Sequence, residues 1–179
     1  MNRRLFVYLA GAAAVAAAGG YALHDYRRQN ANAPAGAASG DPVAALQAMP
    51  LPDLDGTPRR LADWQGKPMV VNFWATWCAP CVKEMPELQA LHEKYPGIQF
   101  VGIGVDKPEN MRDFIKKVPV SYPLLVMGPG AVDTLRTLGN PAGGLPFTLV
   151  FNENGRINRK ILGQVQFDDL DRTLRGLAA

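Results

Sequence analysis

Residues 69–86 read MVVNFWATWCAPCVKEMP, and this stretch predicts both the fold and the chemistry of the chain. Residues 69–75 are apolar, as in a buried strand, and the apolar spacing over residues 80–95 is that of a helix. Cys78 and Cys81 are the only cysteines, three residues apart at the start of that helix. Side chains at this spacing share one helix face and lie close enough to form a disulfide. The pair therefore predicts a reversible dithiol/disulfide centre, and with it a thiol–disulfide oxidoreductase.

The two cysteines are predicted to have different roles. Cys78 should stand at the helix N-terminus, where free backbone N–H groups and the helix dipole favour an anion and lower a thiol pKa. Cys78 is therefore the expected nucleophile, and Cys81, one turn further and more buried, the resolving thiol. A fixed structural disulfide is the alternative, but so small a loop constrains the unfolded chain little.

No metal and no separate cofactor is predicted. A zinc site needs four ligands, and His24 and His92 are the only imidazoles. His24 belongs to the N-terminal leader, and His92 is expected on a solvated helix face. The formal net charge of +3 lies entirely within residues 1–30, and the rest of the chain is neutral overall. This distribution gives no indication of nucleic-acid binding.

Residues 1–28 are predicted to be a signal or membrane anchor. Arg3 and Arg4 precede residues 5–23, which carry no charge. This length favours an uncleaved anchor, because a cleaved signal core usually has about 7–15 residues. The Ala/Gly-rich composition instead favours a cleaved signal, and the arginine pair partly resembles a twin-arginine export signal. We expect an anchor in the bacterial inner membrane with the domain facing the periplasm; the alternative is a soluble periplasmic protein.

The rest of the chain is predicted to be a flexible linker followed by one domain. Residues 29–45, rich in Ala, Gly, Pro and Ser, are the linker, and residues 46–179 form the domain. Asp55-Gly56 predicts the turn of an N-terminal β-hairpin. Further strands are predicted at 98–105, 124–127, 147–151 and 157–162, and helices at 109–118, 131–138 and 167–177. This order predicts an α/β fold with a central mixed sheet covered by helices on both faces.

The segment from Asn72 to Pro86, with its Trp-Cys-x-Pro-Cys core, resembles the active-site segment of thioredoxin-like proteins. Within that superfamily it is similar to the membrane-anchored TlpA/ResA-type disulfide reductases, from about residue 50 to the C-terminus. The resemblance implies a thioredoxin-like fold with an inserted β-α unit at roughly residues 105–140. It also implies that a redox-active Cys78/Cys81 dithiol acts on protein disulfides.

The resemblance also points to Glu84 and Asn72. Glu84 matches a glutamate typical of the TlpA/ResA group, where a partly buried carboxylate could tune the thiol pKa values and carry a proton. The alternative is a solvated glutamate that merely suits the helix dipole. Asn72 stands where cytoplasmic thioredoxins have a buried aspartate, so that acid–base route is absent.

Substrate contacts are predicted on both sides of Cys78. Pro146 matches the family's cis-proline, which would leave the backbone of Leu145 free to pair with substrate. An ordinary trans-proline at a strand start is the alternative.

Trp77, Ala79 and Pro80 are the other expected substrate contacts; Trp77 could also shield the thiolate. Phe147 replaces the small hydroxyl residue that is frequent in the family after the cis-proline. It is therefore expected to influence partner docking.

The resemblance implies an extracytoplasmic reductase that receives electrons from a transmembrane thiol donor of the DsbD/CcdA type. Its substrates would be protein disulfides, for example in cytochrome c maturation. One alternative is an oxidant or isomerase of secreted proteins. The other is a copper carrier similar to the Sco type, which would need a distal histidine, and no histidine follows His92.

Overall fold

The computed structural model describes residues 40–128 and 130–178. The helices are α1 (Pro42–Ala48), α2 (Ala79–Lys94), α3 (Pro108–Ile115), α4 (Ala131–Thr137) and α5 (Phe167–Leu177). The strands are β1 (Leu51–Pro52), β2 (Pro58–Arg59), β3 (Met69–Trp74), β4 (Gln99–Gly104), β5 (Leu124–Val126), β6 (Phe147–Phe151) and β7 (Ile157–Leu162). Within these described ranges, no helix is long and apolar enough to cross a bilayer. The predicted anchor, and the predicted linker up to residue 39, lie outside the described residues.

The regular structure begins earlier than the predicted domain boundary at residue 46. Residues 42–45, predicted to belong to the linker, form the first turn of α1. The Asp41 carboxylate caps this helix by accepting a hydrogen bond from the Val43 N–H at 2.9 Å. Leu46 is buried and joins the core. The linker prediction was wrong here because a helix of two turns is too short for its apolar spacing to stand out from Ala- and Pro-rich flanks.

The central sheet has the strand order β5-β4-β3-β6-β7. The strand before the cysteines, β3, is its middle strand, parallel to β4 and antiparallel to β6. All six residues of β3 are buried, as expected for a strand with helices on both faces. The predicted mixed α/β architecture is confirmed, including the N-terminal hairpin of β1 and β2 and a β-α unit, β5 with α4, between β4 and β6.

Two hydrophobic cores cover the two faces of the sheet. The first contains apolar side chains of α2, α3 and α5, and the second contains side chains of α1 and α4. Because side chains alternate along a strand, Val70 and Trp74 of β3 point into the first core, and Val71 and Phe73 into the second. Asn72 shares the face of Val70 and Trp74. This alternation places one polar side chain of the central strand on the face that α2 covers.

Two glycines of β4 make room for the large side chains of this face. Gly102 is the Cα partner of Asn72, and Gly104 that of Trp74. A Cβ at Gly102 would lie 2.6 Å from Leu124 Cδ2, and a Cβ at Gly104 would overlap the Met111 thioether. Both positions therefore favour glycine, because a larger residue would have to displace these neighbouring side chains.

Candidate active site

The two cysteines form a disulfide at the N-terminus of α2. Cys78 is the N-cap residue, the Cα atoms of Cys78 and Cys81 are 5.3 Å apart, and the Cys81 N–H donates a hydrogen bond to Cys78 Sγ at 3.3 Å. Cys78 is 6% exposed and Cys81 is fully buried. An incoming group can therefore reach the sulfur of Cys78 but not that of Cys81.

The loop before Cys78 is fixed by a buried carboxylate that sequence reasoning missed. Asp106 follows β4 and accepts hydrogen bonds from both the N–H and the hydroxyl of Thr76. It also accepts hydrogen bonds from the Lys107 N–H and from Asn110 Nδ2, each at 2.7 Å. Burial opposes ionisation of Asp106, but these hydrogen bonds, led by those of Thr76 and Asn110, hold its pKa below the ordinary value. An ionised Asp106 thus anchors the turn that presents Cys78.

Glu84 is fully buried, so the solvated alternative for this residue is wrong. Its Oε1 accepts a hydrogen bond from Asn72 Nδ2, and its Oε2 accepts one from the Val165 N–H, both at 2.8 Å. Glu84 lies three residues after Cys81 on α2, the spacing at which side chains are neighbours on one helix face. The structure therefore places a carboxylate next to the buried thiol position.

Burial raises the pKa of Glu84 above its ordinary value. The hydrogen bonds from Val165 and Asn72 act in the opposite direction, and the negative charge of Glu87 adds to the increase. A carboxyl group with a raised pKa can take up and release a proton closer to neutral pH than an exposed glutamate can.

Thr148 completes the support of Glu84 and was also missed from the sequence. It is the Cα partner of Asn72 on β6, and its hydroxyl accepts a second hydrogen bond from Asn72 Nδ2 at 2.9 Å. Both donor positions of the Asn72 amide are therefore used, one for Thr148 and one for Glu84. The signal available in the sequence was a threonine within an otherwise apolar strand.

The Leu145–Pro146 peptide bond is cis, as predicted. The Pro146 carbonyl accepts a hydrogen bond from the Gly163 N–H at 3.0 Å, which fixes the entry to β6. In the described part of the chain, the backbone N–H and C=O of Leu145 have no hydrogen-bond partner. These groups are available to an extended segment of another protein.

A groove of about 460 Å³ adjoins the segment that precedes Cys78. Trp77 and Leu145 both line it, together with Val105 and Val132. The Trp77 side chain is 68% exposed, which is unusual for so large an apolar group. Ala79 and Pro80 are also exposed. The structure thus brings the five predicted substrate contacts to one end of the sheet, around a surface that is open to a partner.

Two expectations about aromatic and imidazole side chains were wrong. Phe147 is fully buried and stacks on Phe73, with ring centroids 5.8 Å apart, so it faces the core rather than a partner. His92 is half-buried, with its ring edge-on to Phe100 and Tyr122. The helical periodicity of α2 did not reveal this contact, because Tyr122 comes from a distant loop.

No group of three or more His, Cys, Asp or Glu side chains in residues 40–128 and 130–178 is arranged to hold a metal ion. The redox group that the structure does contain is the disulfide itself.

Comparisons with known proteins agree with this geometry. The AhpC/TSA family matches residues 40–160. The thiol-disulfide oxidoreductase ResA of Geobacillus thermodenitrificans is 32% identical over 71% of this chain and 72% of its own. A thioredoxin-related protein of Neisseria meningitidis has a TM-score of 0.60 and 34% identity, over 72% of this chain and 95% of its own. A secreted Mycobacterium tuberculosis disulfide oxidoreductase homologous to E. coli DsbE has a TM-score of 0.63 and 26% identity, over 74% and 97%. The chain therefore belongs to the AhpC/TSA family of thioredoxin-like proteins, and it is a thiol-disulfide oxidoreductase of the ResA type.

Proposed function

We propose that this oxidoreductase works as a reductase of protein disulfides outside the cytoplasm, with Cys78 as nucleophile, Cys81 as resolving thiol and Glu84 as proton acceptor. The observation that carries the proposal is the buried carboxylate of Glu84, three residues after Cys81 on the same helix. A solvent-exposed glutamate at that position could not serve the buried thiol.

The first step begins with the reduced dithiol. The Cys78 thiolate attacks one sulfur of a substrate disulfide, and the other substrate sulfur leaves as a thiolate that takes up a proton. The position of Cys78 as N-cap favours its thiolate through the helix dipole and through the Cys81 N–H. The product is a mixed disulfide between Cys78 and the substrate.

The second step closes the internal disulfide. Cys81 transfers its proton to the Glu84 carboxylate, and the resulting thiolate attacks Cys78 Sγ. The bond between Cys78 and the substrate sulfur breaks, and that sulfur leaves and takes up a proton. The substrate has then gained two electrons and two protons, and the enzyme is oxidised. Because Cys81 is fully buried, it cannot lose its proton directly to bulk water, so an internal base is needed.

The surroundings of the cysteines support the reducing direction. A strong oxidant of this type stabilises its reduced form through a thiolate of very low pKa. Here Ala79 and Pro80, between the cysteines, bring no positive charge. The buried Glu84, when ionised, places a negative charge near the thiols and so disfavours a thiolate. The first feature leaves the thiol pKa values without a cation to lower them, and the second raises them; both favour the disulfide form of the enzyme, which makes the dithiol a better reductant.

The proposed substrate is an extended protein segment with a disulfide. Its backbone would pair with the free N–H and C=O of Leu145, next to cis-Pro146, as an added strand. The indole of Trp77 would pack on the segment, and Ala79 and Pro80 would form the surface beside Cys78. The fit of the segment to this surface would place its disulfide at the exposed edge of Cys78.

The location, donor and pathway are proposed from the sequence of the leader and from the resemblance. Residues 1–28 would anchor the protein in the inner membrane with its domain in the periplasm. A transmembrane thiol donor of the DsbD/CcdA type would return the Cys78–Cys81 disulfide to the dithiol. The resemblance to TlpA/ResA-type reductases favours a role in cytochrome c maturation or related thiol homeostasis.

The roles of the two cysteines are tested by trapping. The reduced Cys81→Ser variant of the full chain is mixed with a disulfide-containing protein, and the covalent complex is detected on a non-reducing gel. This variant can start the reaction but cannot resolve it, so the complex should accumulate.

The matched control is Cys78→Ser, which retains only the buried thiol and should give no complex. Equal trapping by both variants, or trapping by Cys78→Ser alone, would show that the proposed nucleophile is wrong. If the reduced wild-type protein leaves the substrate disulfide intact when the two proteins are brought to equilibrium, the proposed direction of electron transfer is wrong.

A further inference from the structure

Four buried polar atoms in the core between α2 and the sheet have no hydrogen-bond partner in the described part of the chain. They are Asn72 Oδ1, Trp74 Nε1, His92 Nδ1 and the Tyr122 hydroxyl. Folded proteins satisfy nearly all such atoms, with protein groups or with ordered water, because an unsatisfied buried group is costly. Four of them in one region therefore indicate a polar cluster whose missing partners ordered water would supply.

The strand register brings the side chains of Asn72, Trp74 and Tyr122 to one place. Asn72 and Gly102 are Cα partners on neighbouring strands, roughly 4.8 Å apart. Trp74 Nε1 and Tyr122 Cε2 both lie within 3.3 Å of the point where a Cβ of residue 102 would stand. The indole N–H and the end of the phenol ring thus cover the site next to Asn72. Since both Asn72 N–H groups are used by Glu84 and Thr148, Oδ1 is the free end of this amide.

The chemistry of the cluster is complementary. The indole N–H of Trp74 is a hydrogen-bond donor only, Asn72 Oδ1 is an acceptor only, and the Tyr122 hydroxyl is both a donor and an acceptor. Tyr122 is 4% exposed. Burial raises the pKa of Tyr122, and the negative charge of Glu84 raises it further, so the phenol lies within electrostatic reach of the carboxylate and stays neutral.

We propose that Tyr122 is a positioning residue for proton transfer at Glu84. A single water that accepts hydrogen bonds from the Tyr122 hydroxyl and from Trp74 Nε1 donates one to Asn72 Oδ1. That bond polarises the Asn72 amide and strengthens the Nδ2–H bond to Glu84 Oε1. The inference rests on the proposed role of Glu84 as the base for Cys81, and it extends the working site to a residue 38 positions away in the sequence.

The direction of the effect follows from this chain of hydrogen bonds. A stronger hydrogen bond to the carboxylate favours its ionised form and lowers the pKa of Glu84. Removing the Tyr122 hydroxyl should therefore raise that pKa further. The titratable groups that face the cluster are Glu84, Cys81 and His92, with Glu87 acting on Glu84 from the surface. Strands β3 and β4 contribute Asn72, Trp74 and Gly102 here, none of which titrates.

The test uses the Tyr122→Phe variant of the full chain, which keeps the ring and removes only the hydroxyl. The first readout is the carboxyl NMR signal of Glu84 in glutamate-labelled protein, assigned by its loss in Glu84→Gln. The second is the pH profile of the step in which Cys81 resolves a mixed disulfide on Cys78. We expect the Glu84 titration and the acidic limb of the profile to move up by roughly 0.5–1 pH unit. On the acidic side of the profile, resolution by Cys81 should then be about three- to tenfold slower than in wild type. At higher pH the two rates should be equal.

Tyr95→Phe is the matched control. This variant also loses a hydrogen-bonding hydroxyl, in this case a partly buried one that bonds Asp171 at the far end of α2, so neither readout should move. Unchanged readouts in Tyr122→Phe, with Glu84→Gln still slowing the Cys81 step, would overturn this inference and leave the proposed function standing. A normal Cys81 step in Glu84→Gln would overturn both.

If Tyr122→Phe does not fold, the wild-type protein gives the answer. A slowly exchanging Tyr122 hydroxyl proton, with a nuclear Overhauser effect to a long-lived water, supports the inference. A hydroxyl proton without that contact overturns it.

Discussion

Replacing Glu84 by glutamine keeps the size of the buried side chain but removes its capacity to take a proton from Cys81. The Val165 N–H can still bond the amide oxygen, and the Asn72 amide can rotate so that its free oxygen accepts from the new N–H₂ group. The variant is therefore expected to fold. Its defect should be confined to the step in which Cys81 attacks the mixed disulfide.

The size of the defect follows from the thiol that is left without a base. With an ordinary thiol pKa of about 8.5, roughly 3% of Cys81 would be ionised at pH 7, and burial reduces this fraction further. General base catalysis contributes roughly 10²–10⁴-fold. We expect Cys81 to act about 10²-fold more slowly in Glu84→Gln at pH 7. The difference should shrink as the pH rises further, because an increasing fraction of the thiol then ionises without a base.

The assay is rapid mixing of the reduced full chain with an aromatic disulfide whose released thiol absorbs light. Attack by Cys78 gives the first release of thiol and attack by Cys81 gives the second, so the two steps are seen as separate phases. Only the second phase should slow in Glu84→Gln. Glu93→Gln is the matched control, since Glu93 is exposed further along the same helix and its loss should leave both phases nearly unchanged. A second phase in Glu84→Gln with wild-type rate and pH profile would refute the reasoning.

The same substitution has a stability signature in the oxidised protein, where the cysteines do not titrate. Because burial raises the folded-state pKa of Glu84, the stability that its protonated form contributes is present at low pH. That contribution is lost as the pH rises through the folded pKa, above the ordinary value of 4.5. The free energy of unfolding of Glu84→Gln, relative to wild type, should therefore increase with pH across this window. A constant difference across the window would contradict the raised pKa.

Three further predictions concern side chains that stabilise the fold, two of them near the site and one at the far end of α2. Asp171→Asn should lower the melting temperature, because the Lys94 hydrogen bond, above all, holds the pKa of Asp171 at about 2. The difference in melting temperature from wild type should vanish as the pH falls from 3.8 to about 2 and below. Gly104→Ala should cost about 1–3 kcal/mol in denaturant unfolding through overlap with Met111, and a smaller residue at 111 should restore part of it. Asp106→Ala should cost about 1–3 kcal/mol, because the donors it now binds lose their partner; an unchanged unfolding midpoint would show that the anchor is dispensable.

The sequence predicted the parts of the site that depend on local order. Cys78 and Cys81 are neighbours by helical spacing alone. An apolar run, a hairpin turn signal and an amphipathic helical spacing predicted β6, β7 and α5 at the residues where the structure has them. These features depend on short-range periodicity, which one sequence contains in full.

The parts that the sequence did not predict depend on distant contacts. The sequence did not decide whether Glu84 is solvated or buried. Its burial depends on the loop that contains Val165 and on the strand that contains Asn72, both distant in the sequence. The anchor between Asp106 and Thr76 joins residues 30 positions apart.

Phe147 was expected at the surface but is buried, which also depends on contacts that the sequence does not show. Its position after the cis-proline suggested the partner surface. Because side chains alternate between the two faces of β6, Phe147 instead points into the core and stacks on Phe73.

The most direct test of the central claim is the reduction potential of the full chain, measured by equilibration against a series of thiol/disulfide buffers. A dedicated reductase with Cys78 as nucleophile and a carboxylate near the thiols should have a potential below about −230 mV, near or beyond the range from glutaredoxins to thioredoxin. A potential above about −180 mV would place the protein with disulfide isomerases and oxidants, and would contradict the proposed direction of electron flow.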